Sequence, residues 1–278
     1  MIASINFHPI NTCNYFCPFC FEPLDKSNPT SLDAVKVLEF VDASGPVHVG
    51  FVGGEPLMWQ PLNQVLDALR ARGVNTCVVT NGSLLSTLTA LPDTLSVGVS
   101  NDMAYNQGLV DFLAANPGYV GQVEVTITPT DLSKVETVIQ GFRVLGITRF
   151  NLSLLAFWDK NAVVEAFIDT EYIEALIEII TTPREGYVVS VFGERNLSCL
   201  RMFYAGYYPL DKEFLCVAPL NIYADGHMEW CDLCAHEIDG QNLNTGYSLA
   251  VLESQQRGPF GPESSCKFCN LRRYVGDC

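Results

Sequence analysis

From residue 4 to about residue 180, short runs of β-branched and aromatic residues alternate with stretches whose apolar side chains return every three or four positions. Ser4–Phe7, Val47–Val52, Thr76–Thr80, Leu95–Ser100, Val123–Thr128 and Arg149–Leu154 read as strands. Between them, Pro61–Arg72 sets Leu62, Val65, Leu66 and Leu69 on one helical face and stops at Gly73. Asp131–Leu145 repeats the spacing with Val135, Val138, Ile139, Phe142 and Leu145 and stops at Gly146, and Val164–Ile180 does so again before Pro183. A crossover helix returns the chain to start each strand in the same direction, so the strands are expected to be parallel. The expected fold class is α/β: six units, two short of a closed eight-stranded barrel, give a partial (β/α)6 barrel of parallel strands with its working face at the C-terminal strand ends. After about residue 205 the alternation gives way to a segment rich in Cys, Gly and Pro, with a hairpin turn at Asp225-Gly226. The expected organisation is a barrel over residues 1–205 and a small Cys-rich domain over residues 206–278.

Composition narrows the class. With 48% hydrophobic and 17% charged residues the chain is that of a compact folded protein. Its start, MIASINFHPINTC, lacks a basic stretch followed by an apolar core, and no segment reaches eighteen uninterrupted apolar residues, so no membrane and a cytoplasmic location are expected. A net charge of -15, with the 16 Lys and Arg scattered, speaks against nucleic acid as a partner. Eleven cysteines, an odd number, fall into two groups plus Cys77 and Cys199. That usage favours metal ligation over a disulfide framework. Cys77, between Val74 and Val78, is expected in the core; Cys199 stays undecided.

The first group, Cys13-Asn14-Tyr15-Phe16-Cys17-Pro18-Phe19-Cys20, follows the first strand. Structural zinc and iron-sulfur sites close with four protein ligands, whereas three leave a metal position open to a substrate or cofactor. His8 offers a fourth ligand only if Pro9 and the strand geometry allow it. A zinc knot is the competing reading. The spacing Cys-x3-Cys-x2-Cys, with aromatic Phe19 before the last Cys, resembles the signature of the radical S-adenosylmethionine (SAM) superfamily. The resemblance implies a 4Fe-4S cluster on Cys13, Cys17 and Cys20 whose open iron is chelated by the methionine part of SAM. Reductive cleavage of SAM then yields a 5′-deoxyadenosyl radical that abstracts a hydrogen atom from substrate. Gly53-Gly54-Glu55-Pro56, after the second strand, resembles the family's GGEP segment, whose backbone and glutamate meet the methionine amino group. Thr80-Asn81-Gly82 and Ser100-Asn101-Asp102 end the third and fourth strands, where relatives contact the methionine carboxylate and ribose. Phe19, Gly53, Gly54, Glu55, Thr80, Asn81, Ser100 and Asp102 are therefore the expected cofactor residues. Relatives often read Ser-x-Asp-Gly at the last site, and Met103 departs from that pattern.

Six cysteines occupy the C-terminal segment: Cys216, Cys231, Cys234, Cys266, Cys269 and Cys278. On spacing alone, Cys231-x2-Cys234 and Cys266-x2-Cys269 make a zinc ribbon. The stretch Cys216-x9-Gly226-x4-Cys231 resembles the opening of SPASM or twitch auxiliary-cluster domains, although Val275 stands near the place of an expected further Cys. Six thiolates cannot fully ligate two four-iron clusters. The resemblance implies at least one auxiliary 4Fe-4S cluster, on Cys216, Cys231 and a pair from the tail. Asp232, directly after Cys231, matches the general base of related sulfatase-maturating enzymes.

Such appendages accompany peptide-modifying enzymes. The first expectation is thus modification of a ribosomally synthesised peptide or protein by oxidation, cross-linking, epimerisation or backbone rearrangement. A separate peptide-recognition protein and a flavodoxin or ferredoxin reductant are the expected partners, since a built-in recognition domain needs roughly 80–90 further residues. The second is a radical SAM oxidase or ligase of a small molecule such as an alcohol or sugar. The third is a non-enzymatic zinc-ribbon protein, for which the chain offers no basic patch.

Overall fold

A computed structural model describes residues 2–17, 20, 22, 24–100, 106–128, 131–152, 170–191, 214–216, 219–230, 236–255 and 272–274. Contacts divide the chain into two units, Met1–Ser96 with Val217–Gly258, and Val97–Cys216 with Pro259–Cys278. The boundary expected between residues 205 and 206 lies outside the described residues.

In the first unit, β1 (Ser4–Phe7), β2 (His48–Phe51) and β3 (Asn75–Thr80) pair in parallel, in the register Ile5 to Val49 and Val49 to Thr76. Helix α1 (Ala34–Ser44) joins β1 to β2, and α2 (Leu62–Ala71) joins β2 to β3. Helix α1, which the sequence did not single out, starts on the Asp33 carboxylate, which accepts from Val35 N and Lys36 N, and stops at left-handed Gly45. Helix α2 buries Leu62, Val65, Leu66 and Leu69, the stripe its periodicity predicts. Phe7 stacks on Phe51 at 5.9 Å and meets the edge of Phe40 at 6.5 Å, and all three are fully buried between sheet and helices.

The parallel α/β class holds, but the outer edge of β1 is taken from far along the chain. Strand β9 (Leu220–Ile222) pairs with β1 in parallel, Ile5 opposite Leu220. Its neighbour β10 (His227–Trp230) runs antiparallel around the Asp225-Gly226 turn, with Gly226 at φ 89°, and β11 (His236–Asn242) continues the order. The hairpin read from the sequence therefore forms, as part of the sheet that carries β1. Helix α6 (Leu249–Gln255) closes this unit.

Strand β4 (Thr94–Ser100) spans the division. In the second unit, β5 (Val123–Thr128), β6 (Arg149–Leu152) and β7 (Val188–Val191) are parallel neighbours. Strand β7 is a seventh parallel strand that the six-unit reading omits. Helices α3 (Gln107–Ala115), α4 (Val135–Arg143) and α5 (Thr170–Thr181) lie between successive strands. Residues Leu132–Lys134 form a short 3-10 turn capped by Asp131, so the helix predicted from 131 becomes regular only at Val135. Strand β8 (Phe214–Cys216) pairs antiparallel with β12 (Arg272–Tyr274), Cys216 opposite Arg272. Among the described residues no helix is long and apolar enough to cross a membrane.

Candidate active site

The C-terminal ends of β1, β2 and β3 gather three loops: the Cys loop after β1, Gly53-Gly54-Glu55 after β2 and Thr80-Asn81 at the end of β3. Parallel sheets put their sites at this end.

Both glycines are there because chain lies where side chains would be. Gly53 adopts φ 74°, and a Cβ on it would come within 2.6 Å of the His8 Cβ. A Cβ on Gly54 would sit 2.2 Å from the Thr12 carbonyl oxygen and 2.7 Å from that of Ile10. Glu55 N–H donates to the same Thr12 oxygen at 2.9 Å. The glycine pair thus seats the β2 loop against residues 8–12, the segment that delivers Cys13.

Glu55 is 1% exposed, and its carboxylate is bonded by the chain itself. Oε1 accepts from Leu57 N at 3.0 Å and from the Thr80 hydroxyl at 2.7 Å, while Oε2 accepts from Asn81 N at 2.9 Å. Burial pushes this carboxyl above its ordinary range, and the hydrogen bonds from Thr80, Asn81 and Leu57 pull partly against it. Thr80 is buried as well, its hydroxyl also accepting from Gly82 N at 3.0 Å. Glu55 and Thr80 therefore tie the β2 and β3 loops together from beneath.

Asn81 turns toward the Cys loop. Its side-chain amide donates to Cys13 Sγ at 3.6 Å and to Asn14 Oδ1 at 2.9 Å, and its Oδ1 accepts from Ser83 N at 2.9 Å. Asn14 donates to the Ser83 hydroxyl at 2.7 Å. Asn14 and Ser83 were not read from the sequence. Their position, one inside the Cys spacing and one directly after Thr80-Asn81-Gly82, was the available clue.

Cys13 and Cys17 are half-buried and Cys20 is exposed. Burial, then the charge of Cys13, raises the Cys17 thiol; burial raises Cys20, with the charges of Glu22, Cys17 and Cys13 adding to it and a Glu22 backbone bond opposing. Burial and neighbouring charge thus hold Cys17 and Cys20 as thiols, and a positive partner is needed to draw them into thiolate form. Among the described residues no three His, Cys, Asp or Glu side chains converge as ligands of a single ion. A four-iron cluster makes a different demand, because each thiolate binds its own iron. The donor set fits such a group.

His8 is not brought to the thiols. It is 2% exposed, with Nδ1 3.1 Å from the Glu22 carboxylate and Nε2 3.4 Å from Asn221 Oδ1. Its ring stacks on Tyr223 at 4.2 Å, and Tyr223 stacks on His227 at 4.2 Å. Asn221 Nδ2 is buried without a hydrogen-bond partner. His8 thus fastens the Cys loop to β9. Cys77 is half-buried on β3 rather than in the core, because the buried face of that strand carries Thr76, Val78 and Thr80.

Ser100 ends β4, and Cys216 ends β8 with its backbone paired to Arg272. Phe19, Asp102, Cys199, Cys231, Asp232, Cys234, Cys266, Cys269 and Cys278 lie outside the described residues.

Residues 7–101 match the family model described as the Radical SAM superfamily. Over 93 residues the chain is 34% identical to an S-adenosylmethionine-dependent nucleotide dehydratase of Lacinutrix mariniflava, covering 31% of this chain and 20% of that protein. Over 123 residues it is 28% identical to a protein of the same name from Selenomonas ruminantium, covering 42% and 45%. The chain thus spans less than half the length of these relatives. Streptococcus suis SuiB, solved bound to S-adenosylmethionine, shares the fold with a TM-score of 0.66 at 15% identity, over 90% of this chain and 65% of that one.

Proposed function

We propose that this chain, which belongs to the radical SAM superfamily and is an enzyme, holds its 4Fe-4S cluster on Cys13, Cys17 and Cys20 and binds SAM at the loops after β1–β4. The observation that carries this reading is the fit of Gly54 against Thr12, which locks the GGEP loop to the root of the Cys loop. When bound, the reduced cluster supplies one electron to the SAM sulfonium and so starts hydrogen-atom abstraction. The chain's own residues shape the place where that happens. Glu55 and Thr80 fix the loop backbones, leaving the Gly53-Gly54 main chain for the methionine amino group; Phe19, Ser100 and Asp102 are the further proposed cofactor residues. Cys17→Ala should abolish 5′-deoxyadenosine formation under reducing conditions while auxiliary iron remains. Undiminished 5′-deoxyadenosine from that variant would overturn the assignment.

The proposed substrate is a ribosomally made peptide, delivered by a separate recognition protein, with flavodoxin or ferredoxin as reductant. Support comes from the C-terminal cysteines. The auxiliary 4Fe-4S cluster is proposed on Cys216, Cys231 and a pair from the tail, and the pairing of Phe214–Cys216 with Arg272–Tyr274, three residues beyond Cys269, supports a tail that returns to Cys216. Asp232 is the proposed general base, and Asp232→Asn should keep both clusters and 5′-deoxyadenosine formation but lose product by roughly 10²–10⁴-fold. A second reading, a nucleotide substrate, is favoured by the names of the relatives from Lacinutrix mariniflava and Selenomonas ruminantium. The net charge of -15 weighs against polyphosphate. Mass analysis of a co-expressed precursor peptide, set beside assays with nucleoside mono-, di- and triphosphates, decides between them: a nucleotide product with an unchanged peptide rejects the first reading.

A further inference from the structure

The sulfur of Cys13 receives two hydrogen-bond donors, Tyr15 N–H at 3.3 Å and the side-chain amide of Asn81 at 3.6 Å. The second comes from another strand end and is held in place on several sides. Ser83 N–H can only donate, so the oxygen of the Asn81 amide must face Ser83 and its nitrogen must face Cys13. The other amide hydrogen goes to Asn14 Oδ1 at 2.9 Å, and the Asn81 main-chain N–H is held by Glu55 at 2.9 Å. A donor fixed this firmly cannot turn away when the charge on the sulfur changes.

We propose that Asn81 sets the reduction potential of the cluster on Cys13, Cys17 and Cys20, the inference resting on the assignment of that trio as its ligands. Reduction adds negative charge to the cluster and its thiolates, and an N–H aimed at one of those sulfurs stabilises the reduced form more than the oxidised one. Asn81 acts here on the ligand and is a positioning and tuning residue; SAM need not touch it.

Asn81→Asp keeps the size of the side chain and the oxygen that serves Ser83, and puts a carboxylate oxygen where the donor was. Asn81→Ser keeps a short acceptor for the turn and cannot reach Cys13. Both variants, reconstituted anaerobically, are titrated against potential with the paramagnetic signal of the reduced cluster as readout. Iron content should match wild type, with the midpoint more negative, so that at fixed potential the ratio of reduced to oxidised cluster falls by roughly three- to tenfold, tenfold being 59 mV for one electron. A purely structural role would lower iron content without moving the midpoint. An unshifted midpoint in either loaded variant, or loss of the cluster from both, overturns the inference alone. If Cys17→Ala keeps the cluster whose paramagnetic signal shifts on adding SAM, the ligand assignment falls and the inference with it.

Discussion

Glu55 sits where water cannot reach it and yet faces three donors from two loops. Its raised carboxyl means that the folded chain holds this proton more tightly than the unfolded chain does. The sign follows from linkage: between the ordinary carboxyl value of about 4.3 and the raised native value, the folded state binds more protons, so stability falls as pH rises. The contribution is fully present below the unfolded value and is lost as pH rises through the native one. Glu55→Gln should flatten that segment of the profile in denaturant titrations. At neutral pH it should also cost about 1–3 kcal/mol, because the amide nitrogen would face a donor and leave it unmet. An unchanged slope across the acidic range would mean that the proton lies elsewhere. The motif was legible in the sequence; the partners of its carboxylate were not, since they come from Thr80 and Asn81 across a strand and a helix.

Among the elements, legibility followed how a segment is buried. Helices α2 and α4 each bury one stripe and leave the opposite face polar, and their periodicity was readable. Helix α1 buries Val37, Phe40, Val41 and Ser44 but exposes Val35, which blurs the same pattern. Strand β9 has three residues, all buried, too short for any period. The loop after β2 is set by its glycines, and comparing Gly54 with Gly73 separates crowding from strain. Gly73 adopts φ 70° with nothing within 4 Å of the place a Cβ would take, so Gly73→Ala should cost only the left-handed strain, about 1–2 kcal/mol, and leave iron content unchanged. Gly54→Ala must move the Thr12 carbonyl and with it Cys13, so it should lose the first cluster's iron while keeping the auxiliary iron. Iron analysis of both variants checks the pair; equal losses would show that crowding at Gly54 is not what holds the first cluster.

At the scale of the molecule, the auxiliary assignment predicts about eight irons per chain, four at each site. Four irons and one zinc in anaerobically prepared protein would return the C-terminal cysteines to a zinc ribbon. The parallel order of the strands was readable because alternation of strand and helix permits little else. The pairing of β9 with β1 was not, since nothing local in either strand names a partner so distant in the chain.

That pairing also sets a timetable for synthesis. On the ribosome Leu220–Ile222, which covers the outer edge of β1, follows that strand only ~10–40 s later at roughly 5–20 residues per second. In the interval β1 has an open edge, and the Ile222 oxygen that receives His8 N–H at 2.8 Å does not yet exist. The Cys loop is therefore completed late, so iron offered to a nascent chain meets thiols whose anchoring strand has not been made. A chain stopped at residue 216 should aggregate through that edge or stay bound to chaperones. Finding it monomeric by light scattering, with a normal first cluster, would show that β9 is dispensable to the nascent fold.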